Sequence, residues 1–183
     1  MFATNPIRYS SIAMLLHWLM AVLIVANLAL GLTMVDLSLS PQKLKYFSWH
    51  KWIGVTIFLL VWLRMAWRMA HPAPPLPRHL PRWQLHAAHV SHIVLYVLMF
   101  IIPLSGWLYS SAAGKQVVYL GLLPLPDLVS ADKGLADSLK LVHEILNYAL
   151  MTLLSLHVLT ALKHHFLDRD DILTRMLPFL SRR

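Results

Sequence analysis

Four stretches of this 183-residue chain, at about 11–34, 49–67, 87–110 and 139–162, are almost wholly apolar. Each is about as long as a helix must be to cross a bilayer, roughly 20 residues at about 1.5 Å of rise per residue. They are rich in Leu, Ala and Met and do not alternate, so they read as helices rather than strands. The expectation is an all-α, integral-membrane four-helix bundle, with residues 1–183 forming one domain. Pro103 and Gly106 fall inside the third span, where a kink is tolerable if neighbouring helices satisfy the freed backbone. The first stretch is too long for a signal-peptide core, and no clear small-x-small cleavage site follows it, so it is read as a retained helix. Composition agrees: 58% of residues are apolar and 13% charged, against about 45–50% and about 25% in soluble domains. Few residues remain for a separate soluble domain.

Four spans return both termini to one side, side A, together with the 68–86 loop. Side B receives the 35–48 and 111–138 loops. Counting near-terminal charges with the closer side, all nine arginines and Lys163 belong to side A. Lys43, Lys45, Lys51, Lys115, Lys133 and Lys140 belong to side B. Ten cations against six make side A, and with it both termini, cytoplasmic. The net charge of +8 then reflects topology beside membrane lipid, and no nucleic-acid partner is expected.

Cysteine is absent, which excludes disulfides, iron–sulfur clusters, covalent c-type haem attachment and thiol catalysis. A redox centre would have to rest on the 11 histidines. His17 and His157 lie near side A, on spans one and four; His50 and His143 lie near side B, on spans two and four. His143 and His157 are 14 residues apart, close to four turns, so they share a face about 21 Å apart along the axis. Each has a partner at its own depth: His50 for His143 and His17 for His157. Facing histidines at two levels of a four-helix bundle are the arrangement that ligates the irons of two non-covalent b haems. Binding iron also relieves the cost of an unpaired ionisable group in hydrocarbon. Two other readings stay open. Membrane histidines also hydrogen-bond across helices. A zinc or other transition-metal site is the leading competitor, weakened because the histidines fall into two distant pairs, each short of the usual three or four ligands.

Other residues extend this picture. Arg64 follows His50 by 14 residues, which places it on the same inner face near side A. There a guanidinium suits the carboxylates of a haem, although a snorkelling cytoplasmic arginine has the same spacing. Arg68 lies one turn further out. His89 and His92 share a face at the start of span three, with His86 offset; they read as substitute ligands, proton relay, quinone contacts or plain interface residues. His164 and His165 follow span four, one facing headgroups and the other within reach of a quinone or a haem carboxylate. His89, His92, His164 and Arg68 are therefore the quinone candidates. Trp18, Trp49, Trp52, Trp67, Trp83 and Trp107 sit near span ends as interface anchors. Residues 71–82 hold five prolines and read as an extended connector. Residues 117–129 are apolar and read as a loop lying on the membrane surface, covering whatever sits beneath it.

An ordered set of motifs spans nearly the whole chain. Arg8-Tyr9-Ser10 runs to His17-Trp18, and His50-x-x-x-Gly54 leads to Arg64-x-x-x-Arg68. His89-x-x-His92 with Tyr96 precedes Pro103-x-x-Gly106. Leu139-Lys140-x-x-His143-Glu144 and His157 lead to Ala161-Leu162-x-His164-His165 and Asp171-x-Leu173-x-Arg175-Met176. In this the chain resembles the bacterial cytochrome b561 family. The resemblance implies four helices in the bacterial inner membrane, two haem b groups and electron transfer across the membrane. It implies His17 with His157 and His50 with His143 as axial ligands, the pairs that depth and spacing reach separately. At least one member of the family is a superoxide oxidase that passes electrons to ubiquinone.

Lys43, Lys45, Lys51 and Lys140 lie near the His50 and His143 level. A cationic rim there attracts an anion such as superoxide, with Lys51 and Lys140 as the main candidates; the same lysines also suit haem carboxylates or lipid headgroups. Three functions follow. The first is a di-haem oxidoreductase that takes electrons from superoxide, or another small-molecule donor, to ubiquinone. The second is a carrier subunit serving a dehydrogenase partner. The third is a haem-free proton or metal transporter.

Overall fold

A computed structural model describes residues 8–75, 77 and 80–180. Leu76, Arg78 and His79 of the proline-rich connector, and Arg182 and Arg183 of the side-A charge count, lie outside them. Four long helices dominate: α1 (Ser11–Asp36), α2 (Pro41–Ala70), α3 (Arg82–Ala112) and α4 (Lys133–Lys163). All four are long and apolar enough to cross a membrane.

Three helices begin earlier than hydropathy suggests, at Pro41, Arg82 and Lys133 rather than 49, 87 and 139. Apolar stretches mark the hydrocarbon, whereas helix starts are set by capping. Ser40 Oγ accepts the Lys43 N–H at 3.2 Å, with Pro41 in the first turn. Asp132 Oδ1 accepts the Leu135 N–H at 2.7 Å, and Ser10 Oγ accepts that of Ala13. Each satisfies a donor that the first turn leaves orphaned. The Lys43 ammonium reaches back to the Val35 and Leu37 carbonyls, closing the C-terminal end of α1. Pro103 sits inside α3 without ending it.

Among the described residues, close backbone packing runs from α1 to α2, α2 to α3 and α3 to α4. Helix α4 has no comparably close packing on α1 or α2. The buried centre is aliphatic: Met20 and Ile24 from α1, Ile57 and Val61 from α2, Leu98 and Ile102 from α3, Leu150 from α4. Leu15, Val22, Leu59 and Leu159 point outward and stay exposed, as lipid contact requires. Because lipid tails are as apolar as leucine, such a bundle is held by close packing and interhelical hydrogen bonds.

The side-B loop is fastened to the helices rather than merely lying over them. A short hairpin, β1 (Val118–Tyr119) and β2 (Leu123–Pro124), turns through Leu120 and Gly121, both at positive φ. The Trp52 indole donates to the Val118 carbonyl at 2.7 Å, and the Trp107 indole to that of Pro126 at 3.0 Å. Thr56 Oγ1 donates to the Trp52 carbonyl, so Tyr119 OH donates to Thr56, 3.0 Å away.

At side A, α4 continues into a single π turn (His164–Asp168), and Arg169 then adopts the left-handed conformation at φ 57°. The tail returns across the bundle: Tyr9 N–H donates to the Arg175 carbonyl, and the Trp18 indole to that of Met176. Both ends of the described chain therefore meet at one face. Arg175 is itself buried, donating to Asp171 Oδ2 and the Pro75 carbonyl.

The α4 cap offers a direct check. Asp132→Ala should cost about 1 kcal/mol, read as a lowered Tm of the detergent-solubilised protein, whereas Asp132→Asn should restore most of it.

Candidate cofactor sites

The aliphatic centre separates two polar clusters, one toward each end of the bundle. Toward side B, His50 on α2 faces His143 on α4, with ring centroids 6.2 Å apart and planes at 87°. His50 Nδ1 lies 3.2 Å from the Asn27 carbonyl of α1. His143 Nδ1 lies 2.8 Å from Ser105 Oγ of α3, and Ser105 also bonds the Ile102 carbonyl at 2.8 Å. Glycine makes room for both rings. A Cβ on Gly106 would sit 3.0 Å from His143 Cε1, and one on Gly31 would sit 3.2 Å from His50 Cε1. The functional consequence of Gly106 is therefore a socket for an imidazole as much as a weak point in the helix. Beside the rings lies a cavity, part of it open to the outside, with mainly apolar walls that include Ile24, Leu98, Ile102 and Val117. Asn27 also lines it, and its Oδ1 is buried without a hydrogen-bond partner.

Toward side A, His17 on α1 faces His157 on α4, with centroids 6.3 Å apart and planes at 66°. Arg64 crosses from α2: Nη1 donates to the Ala13 carbonyl at 3.0 Å, Nε to Tyr96 OH at 3.0 Å, and Nη2 lies 3.4 Å from His17 Nδ1. The interior placement expected for Arg64 holds. His92 packs its ring against His157 at 5.5 Å, so α3 contributes a third imidazole to this cluster. Arg68 lies over the Tyr96 ring at 5.9 Å.

The remaining candidates separate. His86 and His89 stay exposed while His92 turns inward. His164 is buried seven residues beyond His157, on the same face of α4. Its Nδ1 lies 2.7 Å from Asp170 Oδ2 and 3.1 Å from Asp168 Oδ2, within the tail knot. His165 is half-buried against the ring of Phe166. On side B, Lys51 lines the cavity and donates to the Lys115 carbonyl at 3.0 Å. Lys140 instead pairs with Glu144 at 3.7 Å on an exposed surface, and Lys45 covers Trp49.

Sequence reading passed over Ser105, Asn27 and Gly31. A helical serine carries no signal of its own, because its hydroxyl usually returns to a backbone carbonyl of the preceding turn.

The histidine pairs can be tested against a bound iron. Neutral imidazole nitrogens are ordinary ligands of haem iron. Each facing pair, with ring centroids 6.2 and 6.3 Å apart, would offer two imidazoles at one level of the bundle. The apolar cavity suits a macrocycle, and Arg64 suits its carboxylates. These residues fit haem. Gly106→Val should displace His143 and lower the haem-to-protein ratio in a pyridine haemochrome assay, with Gly106→Ala falling between Val and the native residue.

Known proteins point the same way. The profile described as prokaryotic cytochrome b561 matches residues 8–179. "Cytochrome b561 homolog 2" of Escherichia coli (strain K12) is 38% identical over 184 residues, covering 96% of this chain and 94% of that one. "Probable superoxide oxidase CybB" of Yersinia pestis is 30% identical over 176 residues, covering 93% and 96%. "Cytochrome b561 homolog 1" of Escherichia coli (strain K12) is 27% identical over 178 residues, covering 93% and 97%. With four membrane-spanning helices and a match over almost its whole length, the chain belongs to the prokaryotic cytochrome b561 family, haem b proteins that carry electrons in the bacterial inner membrane.

Proposed function

We propose that this protein holds two b haems and takes electrons from superoxide at side B, the periplasmic face, to ubiquinone at side A, the cytoplasmic face. The observation that carries this reading is the pair of facing histidine couples at two levels, with ring centroids 6.3 and 6.2 Å apart. Each bound haem supplies a centre that accepts and gives up one electron. His50 and His143 hold the side-B centre and His17 and His157 the side-A centre, while Arg64 neutralises carboxylate charge near side A.

Superoxide gives up one electron and leaves as O₂, so side B needs no proton donor. What helps there is a cation near the cavity, and the position of Lys51 among the lining residues supports it as that cation. Lys140 contributes less, because Glu144 offsets its charge. Ubiquinone takes two electrons and two protons to become ubiquinol, so two superoxide anions are consumed for each quinone. Side A carries the protonatable groups: His92 beside His157, and His164 bonded to Asp170, with Arg68 near Tyr96. The 30% identical relative named a probable superoxide oxidase supports the choice of donor.

The carrier reading retains one observation in its favour. Of the side-B lysines, Lys43 closes α1 and Lys140 is ion-paired, so the rim is less cationic than a lysine count implies.

A reduced-minus-oxidised spectrum of the purified protein, with a haemochrome count and superoxide as reductant, separates the readings. Two haems per chain that superoxide reduces and ubiquinone reoxidises support the enzyme; two haems indifferent to superoxide leave the carrier. His50→Ala or His143→Ala should each remove one haem and abolish reduction by superoxide, while the other haem survives. Equal loss of both haems would argue against separate sites. Lys51→Gln should slow superoxide-driven reduction several-fold at low salt and flatten its dependence on ionic strength, whereas Lys140→Gln should change it little.

A further inference from the structure

The partners of the second ring nitrogen at side B differ from that of His17 at side A. At side B both partners are acceptors. His50 Nδ1 faces the Asn27 carbonyl, which has no proton to give. His143 Nδ1 faces Ser105 Oγ at 2.8 Å. Ser105 has a single hydroxyl proton, and it is spent on the Ile102 carbonyl at 2.8 Å. Toward His143 the serine oxygen can only accept, so His143 carries its proton on Nδ1. Its Nε2 lone pair is then the free one. Ser105 is 5% exposed, so the bond is largely shielded from bulk solvent. Gly106, the next residue, bounds the ring at 3.0 Å from the position of its missing Cβ. The ring is thus fixed in orientation by one residue and in protonation pattern by the residue before it.

At side A, His17 Nδ1 instead faces the guanidinium of Arg64, a donor and a cation. A hydrogen bond from Nδ1–H to an acceptor makes an imidazole more basic at its other nitrogen and favours the oxidised metal.

We propose that Ser105 is a positioning residue of the side-B site: it holds His143 in the Nδ1–H form and, by strengthening Nε2 as a ligand, lowers the midpoint potential of the side-B haem. This rests on the haem reading above.

The test compares Ser105→Thr with Ser105→Val in the full-length detergent-purified protein. The two side chains have nearly the same shape, and only Thr keeps the hydroxyl. Ser105→Ala adds a variant without extra bulk. Haem content is counted first; then a redox titration followed by visible absorption gives the two midpoints, and low-temperature EPR gives the low-spin signal of each haem. Val and Ala should keep two haems, raise one midpoint, alter one EPR signal and leave the other midpoint unchanged. Thr should match the native protein. Loss of one haem in Val and Ala but not in Thr would support the same role.

Unchanged midpoints and EPR signals in Val and Ala would overturn the proposal, as would a Thr variant that shifts as far as Val. Haem loss in all three variants alike would also overturn it, because that is a packing effect. A native protein that binds no haem would remove the underlying reading as well, and the first haem count identifies that case before any substitution is compared.

Discussion

An imidazole in hydrocarbon needs a partner, and most of this bundle is arranged around four imidazoles that meet across a gap. Helix α4 packs closely on α3 but not on α1 or α2, yet it carries His143 and His157 toward His50 and His17 at 6.2 and 6.3 Å. Closing that gap by moving the helices together would crush the rings; leaving it unfilled would strand polar nitrogens in an apolar medium. A haem iron held between a pair would resolve both problems, and its macrocycle would supply the missing bulk. The glycines opposite His50 and His143 follow from the same constraint, because a ring standing across a narrow gap needs space on the neighbouring helix.

The two levels differ in what surrounds the rings. Side B is lined by aliphatic residues, with second-nitrogen partners drawn from a carbonyl and a hydroxyl. Side A gathers a third imidazole, a guanidinium and a tyrosine. Between them the centre is aliphatic from all four helices. Such a separator offers no chain of protonatable groups for a proton to follow, which suits a protein whose cargo is an electron. Titratable groups gather instead toward side A, where His164 meets Asp170.

Much of the site was legible because helical geometry converts sequence spacing into depth and face. The 14-residue interval from His143 to His157, and from His50 to Arg64, needs only the pitch of a helix to place both pairs of residues at two levels. Spacing fails where two residues sit near the edge of a face. His89 and His92 are three apart and read alike, yet one is exposed and the other touches His157. It also fails for charge, because the lysines of side B look equivalent until their partners are known. Lys43 closes a helix, Lys140 meets Glu144, and Lys51 alone of these three lines the cavity.

The sequence alone determined the number of helices, their membrane-spanning character and the four facing histidines, because apolar length and helical period are local properties that the bilayer enforces. Only the tertiary structure decided where the helices start, which glycines receive the rings and which atom holds each second nitrogen. Those choices depend on contacts between residues far apart in the chain, such as Ser105 with His143 and Arg64 with His17. No periodicity encodes them: a serine or an arginine on a helix finds its partner only when another helix is laid beside it.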